Sequence, residues 1–118
     1  MSAPIILYPN GDTVDIRRWW VVALNDATRT SIQAVIYTIG GVDLVYDTRM
    51  VSIVSAGAQN SIRIAADCGM VPGVTYELYV RAGNSGVVTA WSAQALVIAK
   101  LVDLYRPLST YEAWREGA

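Results

Sequence analysis

The chain has 118 residues, 53% of them hydrophobic and 16% charged, with a formal net charge of −1, one Cys and no His. This length fits a single domain, the absence of His excludes imidazole acid–base chemistry, Ser-His-Asp arrangements and most zinc sites, and the lone Cys68 excludes an internal disulfide. Charged residues fall below the roughly 25% of an average globular chain, which calls for a large core or for apolar surface that meets a partner.

From the amino end, Met1 is followed by Ser-Ala-Pro with neither a basic nor a long apolar region, so no signal peptide is expected and the chain is read as made and folded in a cytoplasm. No apolar run reaches the roughly 18 residues of a membrane span. Pro4–Tyr8 reads as a short edge strand, closed by the turn Pro9-Asn10-Gly11. Thr13–Leu24 is the longest candidate strand, although its first half alternates poorly and both of its faces carry apolar groups. Asn25–Thr30 is a polar turn and Ser31–Ile39 a third strand, turned at Gly40-Gly41 into Val42–Tyr46. Asp47-Thr48-Arg49 interrupts, Met50–Val54 is a short apolar segment, Ser55–Gln59 is a loop, and Asn60–Ala66 is a strand with Ile62 and Ile64 inward and Arg63 outward.

Met70–Ser92 is the most informative stretch. Tyr76, Leu78, Val80 and Ala82 alternate with Glu77, Tyr79 and Arg81, the pattern of a strand with one buried and one wet face. Pro72-Gly73 before it and Asn84-Ser85-Gly86 after it are turn signals. Val87–Ala99 follows as a last strand or strand pair, broken near Ala90. Met70, Pro72-Gly73, Tyr76, Val80-Arg81-Ala82, Asn84, Gly86 and Trp91-Ser92 together resemble the end of a fibronectin type III domain. The resemblance implies an all-β, Greek-key sandwich of about seven strands over residues 1–100, with Tyr76 as a structural corner: ring buried, hydroxyl bonded to nearby backbone. It also implies a core Trp in the second strand. Trp19 and Trp20 both suit that place and cannot both point inward; with Trp20 in the core, Trp19 beside Arg17 and Arg18 becomes a contact candidate.

The character of the chain changes at Leu101. Pro107 blocks a further strand, while Leu104, Tyr105, Leu108, Tyr111 and Trp114 make residues 101–118 too apolar for a solvated terminus. This extension is read as folding back on the sandwich or as an assembly arm reaching a neighbouring subunit. Asp12, Asp15, Asp26, Asp43, Asp47 and Asp67 lie in or beside turns without the spacing of a calcium loop, and no phosphate-cradling glycine loop is present. No catalytic, cofactor or metal residues are expected. Eight of the nine basic residues are Arg, a residue favoured at protein interfaces, and they are scattered among acids instead of forming the stripe that nucleic acid requires. The expectation is therefore a non-enzymatic structural or interaction protein with protein partners, further copies of itself among the candidates, and with neither nucleic acid nor membrane as a partner. Freestanding sandwiches of this size resemble accessory proteins of bacteriophage particles, which implies a capsid or tail partner and a place in the virion. The alternative is a carbohydrate- or receptor-binding module that uses surface aromatics.

Overall fold

In the computed structural model, which describes residues 3–25, 30–52, 61–66, 68–84 and 87–100, the strands divide between two sheets. The smaller joins β1 (Ile6–Tyr8), β3 (Trp20–Leu24) and β7 (Ser61–Ile64) in the order β1-β3-β7. The larger runs β2 (Asp12–Asp15), β10 (Ala95–Lys100), β8 (Thr75–Asn84), β4 (Ser31–Thr38), β5 (Leu44–Asp47), with β6 (Val51–Ser52) also on β4 and β9 (Val87–Val88) also on β8. All pairs are antiparallel except β2 with β10, where Asp12–Asp15 run parallel to Val97–Lys100.

Alternation decides what lies between the sheets. Trp20, Val22 and Leu24 of β3 and Ile62 and Ile64 of β7 point in from one side. Ile32, Ala34 and Ile36 of β4, Tyr76, Leu78 and Val80 of β8, and Ala95, Val97 and Ala99 of β10 meet them from the other. Each fully buried Leu, Ile or Val contributes about 1.5–3 kcal/mol relative to exposure. The single thiol, Cys68, is buried in the same core.

The expected continuous strand Thr13–Leu24 is two strands in different sheets. Asp15 makes the break: its carboxylate accepts the Arg17 N–H at 3.0 Å and its carbonyl accepts the Arg18 N–H at 3.5 Å, so the chain turns and crosses to the other layer. This is why the first half of the stretch alternates poorly. Other bounds shift as well: β1 begins at Ile6 rather than Pro4, the return strand of the hairpin is Leu44–Asp47 rather than Val42–Tyr46, and β4 and β7 end at Thr38 and Ile64 rather than Ile39 and Ala66. At the turn between β4 and β5, Gly40 and Gly41 hold φ of 90° and 69°, which L side chains rarely adopt. The expected loop 55–59, residues 26–29 of the polar turn, Ser85-Gly86, Asp67 and the extension 101–118 lie outside the described residues.

At the start of β8, the Tyr76 ring is buried and its hydroxyl accepts the Val71 N–H at 2.7 Å. Between the two, Pro72-Gly73 makes the turn; Gly73 has φ 86° and donates its N–H to Ala99 O at 2.8 Å, tying the turn to β10. After β8 the last strand is interrupted as expected. Across the gap, Thr89 and Ser92 substitute for the ladder. The Ala82 N–H donates to Thr89 Oγ1 at 3.1 Å and the Val80 N–H to Ser92 Oγ at 3.0 Å, while the Thr89 and Ser92 amides donate back to the carbonyls of Ala82 and Val80.

Candidate interaction surfaces

Two surfaces join aromatic rings to arginines. On the smaller sheet, β3 places Trp20 inward at 6% exposure and leaves Trp19, just before the strand, 52% exposed. The guanidinium of Arg63 on β7 lies 4.1 Å over the Trp19 ring, which holds the indole in place by a cation–π contact. Tyr8, Arg18, Trp19, Trp20 and Val21 line an open hollow of about 500 Å³ there. The neighbour expected for Trp19 was Arg17 or Arg18; the ring partner is Arg63 instead. Arg17 and Arg18 reach back to the Asp15 carboxylate, at 3.3 and 3.5 Å. Register brings Arg63 to the site, since it stands opposite Val21 on the outer face.

The outer face of the larger sheet carries the second surface. The reading of Glu77, Tyr79 and Arg81 as a wet face needs correction: Glu77 is buried, and Tyr79 and Arg81 are half-buried. A polar chain runs across three strands. Arg81 Nε donates to Gln33 Oε1 at 2.9 Å and Gln33 Nε2 donates to Asp47 Oδ1 at 2.8 Å, while the Arg81 guanidinium also stacks 4.6 Å over Trp91. Burial by itself would raise the Asp47 carboxyl. The bonds from Gln33 and the Arg49 amide, with the charges of Arg49 and Arg81, outweigh that and hold it below its usual range. One row further along, Tyr79 donates its hydroxyl to Glu77 Oε1 at 3.0 Å, and Glu77 Oε2 accepts the Gly40 N–H at 2.8 Å. Burial and the Glu77 carboxylate push the Tyr79 phenol up. Tyr37 meets Tyr79 edge to face, with centroids 6.2 Å apart, and with Val35 and Trp91 the pair lines a hollow of about 250 Å³.

No family model matches the chain, and no curated protein matches its sequence. Among solved structures, one titled as a myokine structure superposes with a TM-score of 0.52 at 14% identity, covering 84% of this chain and 97% of its own. An Fn3-like protein from Clostridium thermocellum gives 0.49 at 18% identity, covering 86% and 96%. The fibronectin(III)-like modules of Clostridium thermocellum CbhA give 0.47 at 17%, covering 86% and 99%. The fold is a fibronectin type III-like β-sandwich. At 14% identity the first of these likenesses speaks for the fold alone.

Within this fibronectin type III-like frame, Arg17, Arg18 and Trp19 lie together in the crossing from β2 to β3, while Tyr76, Pro72, Gly73 and Trp20 form the frame itself. Leu104, Tyr105, Leu108, Tyr111 and Trp114 lie outside the described residues. Sequence reasoning missed Arg63, Arg81, Gln33, Asp47 and Trp91 as parts of a surface. Arg63 and Arg81 carried a usable signal, because each is the outward residue of a strand whose neighbours point inward. The ring partner of Arg63 is distant in sequence and becomes visible only through the pairing of β3 with β7, and that of Arg81 only once the interrupted segment after β8 is placed. Among the described residues no cluster of three His, Cys, Asp or Glu is placed to hold a metal ion, and no helix is long and apolar enough to cross a membrane.

Proposed function

We propose that this protein is a non-enzymatic interaction module that joins a larger protein assembly, with the Trp19 face as a contact surface and residues 101–118 as an assembly arm. The observation that carries the reading is Trp19: a large indole, half exposed yet held by Arg63, is the type of residue that anchors interfaces. Low charge content and the preponderance of Arg support it. The resemblance to accessory proteins of bacteriophage particles supports a finer version, in which the partner is a capsid or tail protein and the module resides in the virion. Co-sedimentation of the tagged chain with a large particle tests this. The wild-type chain should sediment with the particle and Trp19→Ala should remain in the supernatant although still cooperatively folded; equal sedimentation of the two would remove Trp19 from the contact.

A second reading, a carbohydrate- or receptor-binding module, is favoured by the Tyr37–Tyr79–Trp91 hollow, whose rings offer stacking faces. Retention of the free protein on a glycan array, abolished by Trp91→Ala, would select it over the assembly reading.

A further inference from the structure

Charge is unevenly distributed about Trp19. Arg63 lies over the indole, Arg18 lines the hollow beside it, and Arg17 adjoins Arg18. Arg17 and Arg18 share the one carboxylate of Asp15 and Arg63 is set on the ring, so the guanidiniums around Trp19 outnumber the acid paired with them among the described residues, in a chain whose overall charge is −1. The guanidiniums are incompletely used: the Arg63 contact is a ring face, and Arg18 meets Asp15 through Nε at 3.5 Å with its side chain 60% exposed. Their terminal N–H groups are the donors that match a carboxylate in a two-pronged fashion. Beside Trp19 an open hollow lined by Tyr8, Arg18, Trp19, Trp20 and Val21 is mainly apolar.

We propose that the Trp19 face docks an acidic polypeptide segment, whose carboxylates pair with Arg18 and Arg63 and whose apolar or aromatic side chain enters the hollow beside Trp19. The inference rests on the reading of this face as a contact surface and adds the chemistry of the partner. An acidic polypeptide fits better than a nucleic acid. Around Trp19 stand three arginines instead of a row of basic side chains able to track a backbone, and beside the indole lies an apolar hollow that suits a side-chain anchor.

The test uses the full chain and a short fluorescein-labelled peptide of glutamates around a central tryptophan, followed by anisotropy. The peptide should bind at low salt and weaken several-fold near 0.15 M, where the screening length falls to about 8 Å. Arg63→Glu and Arg18→Glu should each weaken it roughly tenfold or more, and Trp19→Ala should lose the anchor. Arg49→Glu, on the edge of the other sheet, should bind as the wild type does. Unchanged melting temperatures in the exposed Arg variants would tie the losses to binding. The proposal is overturned if the peptide does not bind, if Arg49→Glu weakens it as much as Arg63→Glu, or if single-stranded oligothymidylate binds more tightly. It also falls, with the assembly reading left standing, if the Arg18→Glu and Arg63→Glu proteins still join a particle that Trp19→Ala fails to join.

Discussion

Two adjacent tryptophans differ in everything except chemistry. Trp20 fills the core, and its indole Nε1 is buried with no hydrogen-bond partner among the described residues, so this side chain contributes packing at the expense of an unsatisfied donor. Trp20→Ala should cost about 3–5 kcal/mol through the cavity it leaves. Trp20→Phe should cost distinctly less, since it retains much of the ring volume and removes the unsatisfied N–H. Trp19→Ala should cost about 1 kcal/mol or less, the scale of an exposed cation–π contact. Denaturant titration of the three variants checks the ordering, and equal losses at Trp19 and Trp20 would contradict the assigned burial. Tyr76 is the other residue with a single decisive atom. Tyr76→Phe keeps the ring and deletes the acceptor for the Val71 amide, which predicts about 1 kcal/mol of destabilisation. A domain of this class would then melt about 4–8 °C lower, and an unchanged melting temperature would show that the bond contributes nothing.

Among the strands, Glu77 does more than its place on an outer face implies. One carboxylate oxygen holds the Tyr79 hydroxyl and the other the Gly40 amide, so β8 secures the hairpin that joins β4 to β5. Glu77→Ala removes both acceptor oxygens and should release both groups. Amide exchange at Gly40 is expected to quicken while exchange in the β4–β8 ladder is unchanged; protection of Gly40 identical to wild type would refute the clamp. Strand existence was largely legible in the sequence, because inward residues such as Ile62 and Ile64, or Leu78 and Val80, follow the two-residue period that burial requires. The split between β2 and β3 was not, since Val14 and Trp20 share one parity across a turn built by the Asp15 side chain. Nor was the covering of β8's outer face. It depends on Gln33 lying opposite Arg81 and Val35 opposite Tyr79, a matter of register between strands more than forty residues apart.

For the molecule as a whole, the sandwich and the extension make separable predictions. β10 closes at Lys100, and every inward residue described above lies before that point. A chain ending at Lys100 should therefore unfold cooperatively, as a folded monomer, yet fail to join the assembly proposed for the full chain. Analytical ultracentrifugation and thermal melting decide this. Aggregation or a much lower melting point would place the extension in the sandwich's own core, and normal assembly would remove its role as an arm. A different property follows from the parallel pairing of β2 with β10. The chain enters the sandwich beside Asn25, where Ile5 bonds, and leaves at Lys100 by the opposite end. Tension between the two ends therefore draws β2 and β10 past each other along their length. The cross-links from Gly11 to Leu96 and from Ile16 to Lys100 then bear the load together with the ladder between them, and must rupture jointly instead of unzipping in turn. In a force-extension measurement the domain should yield in one abrupt step, and Ile16→Pro, which deletes the donor nearest the exit, should lower the force at which it does so. A module strung between two attachment points would in this way resist being pulled open along the direction in which an assembly pulls.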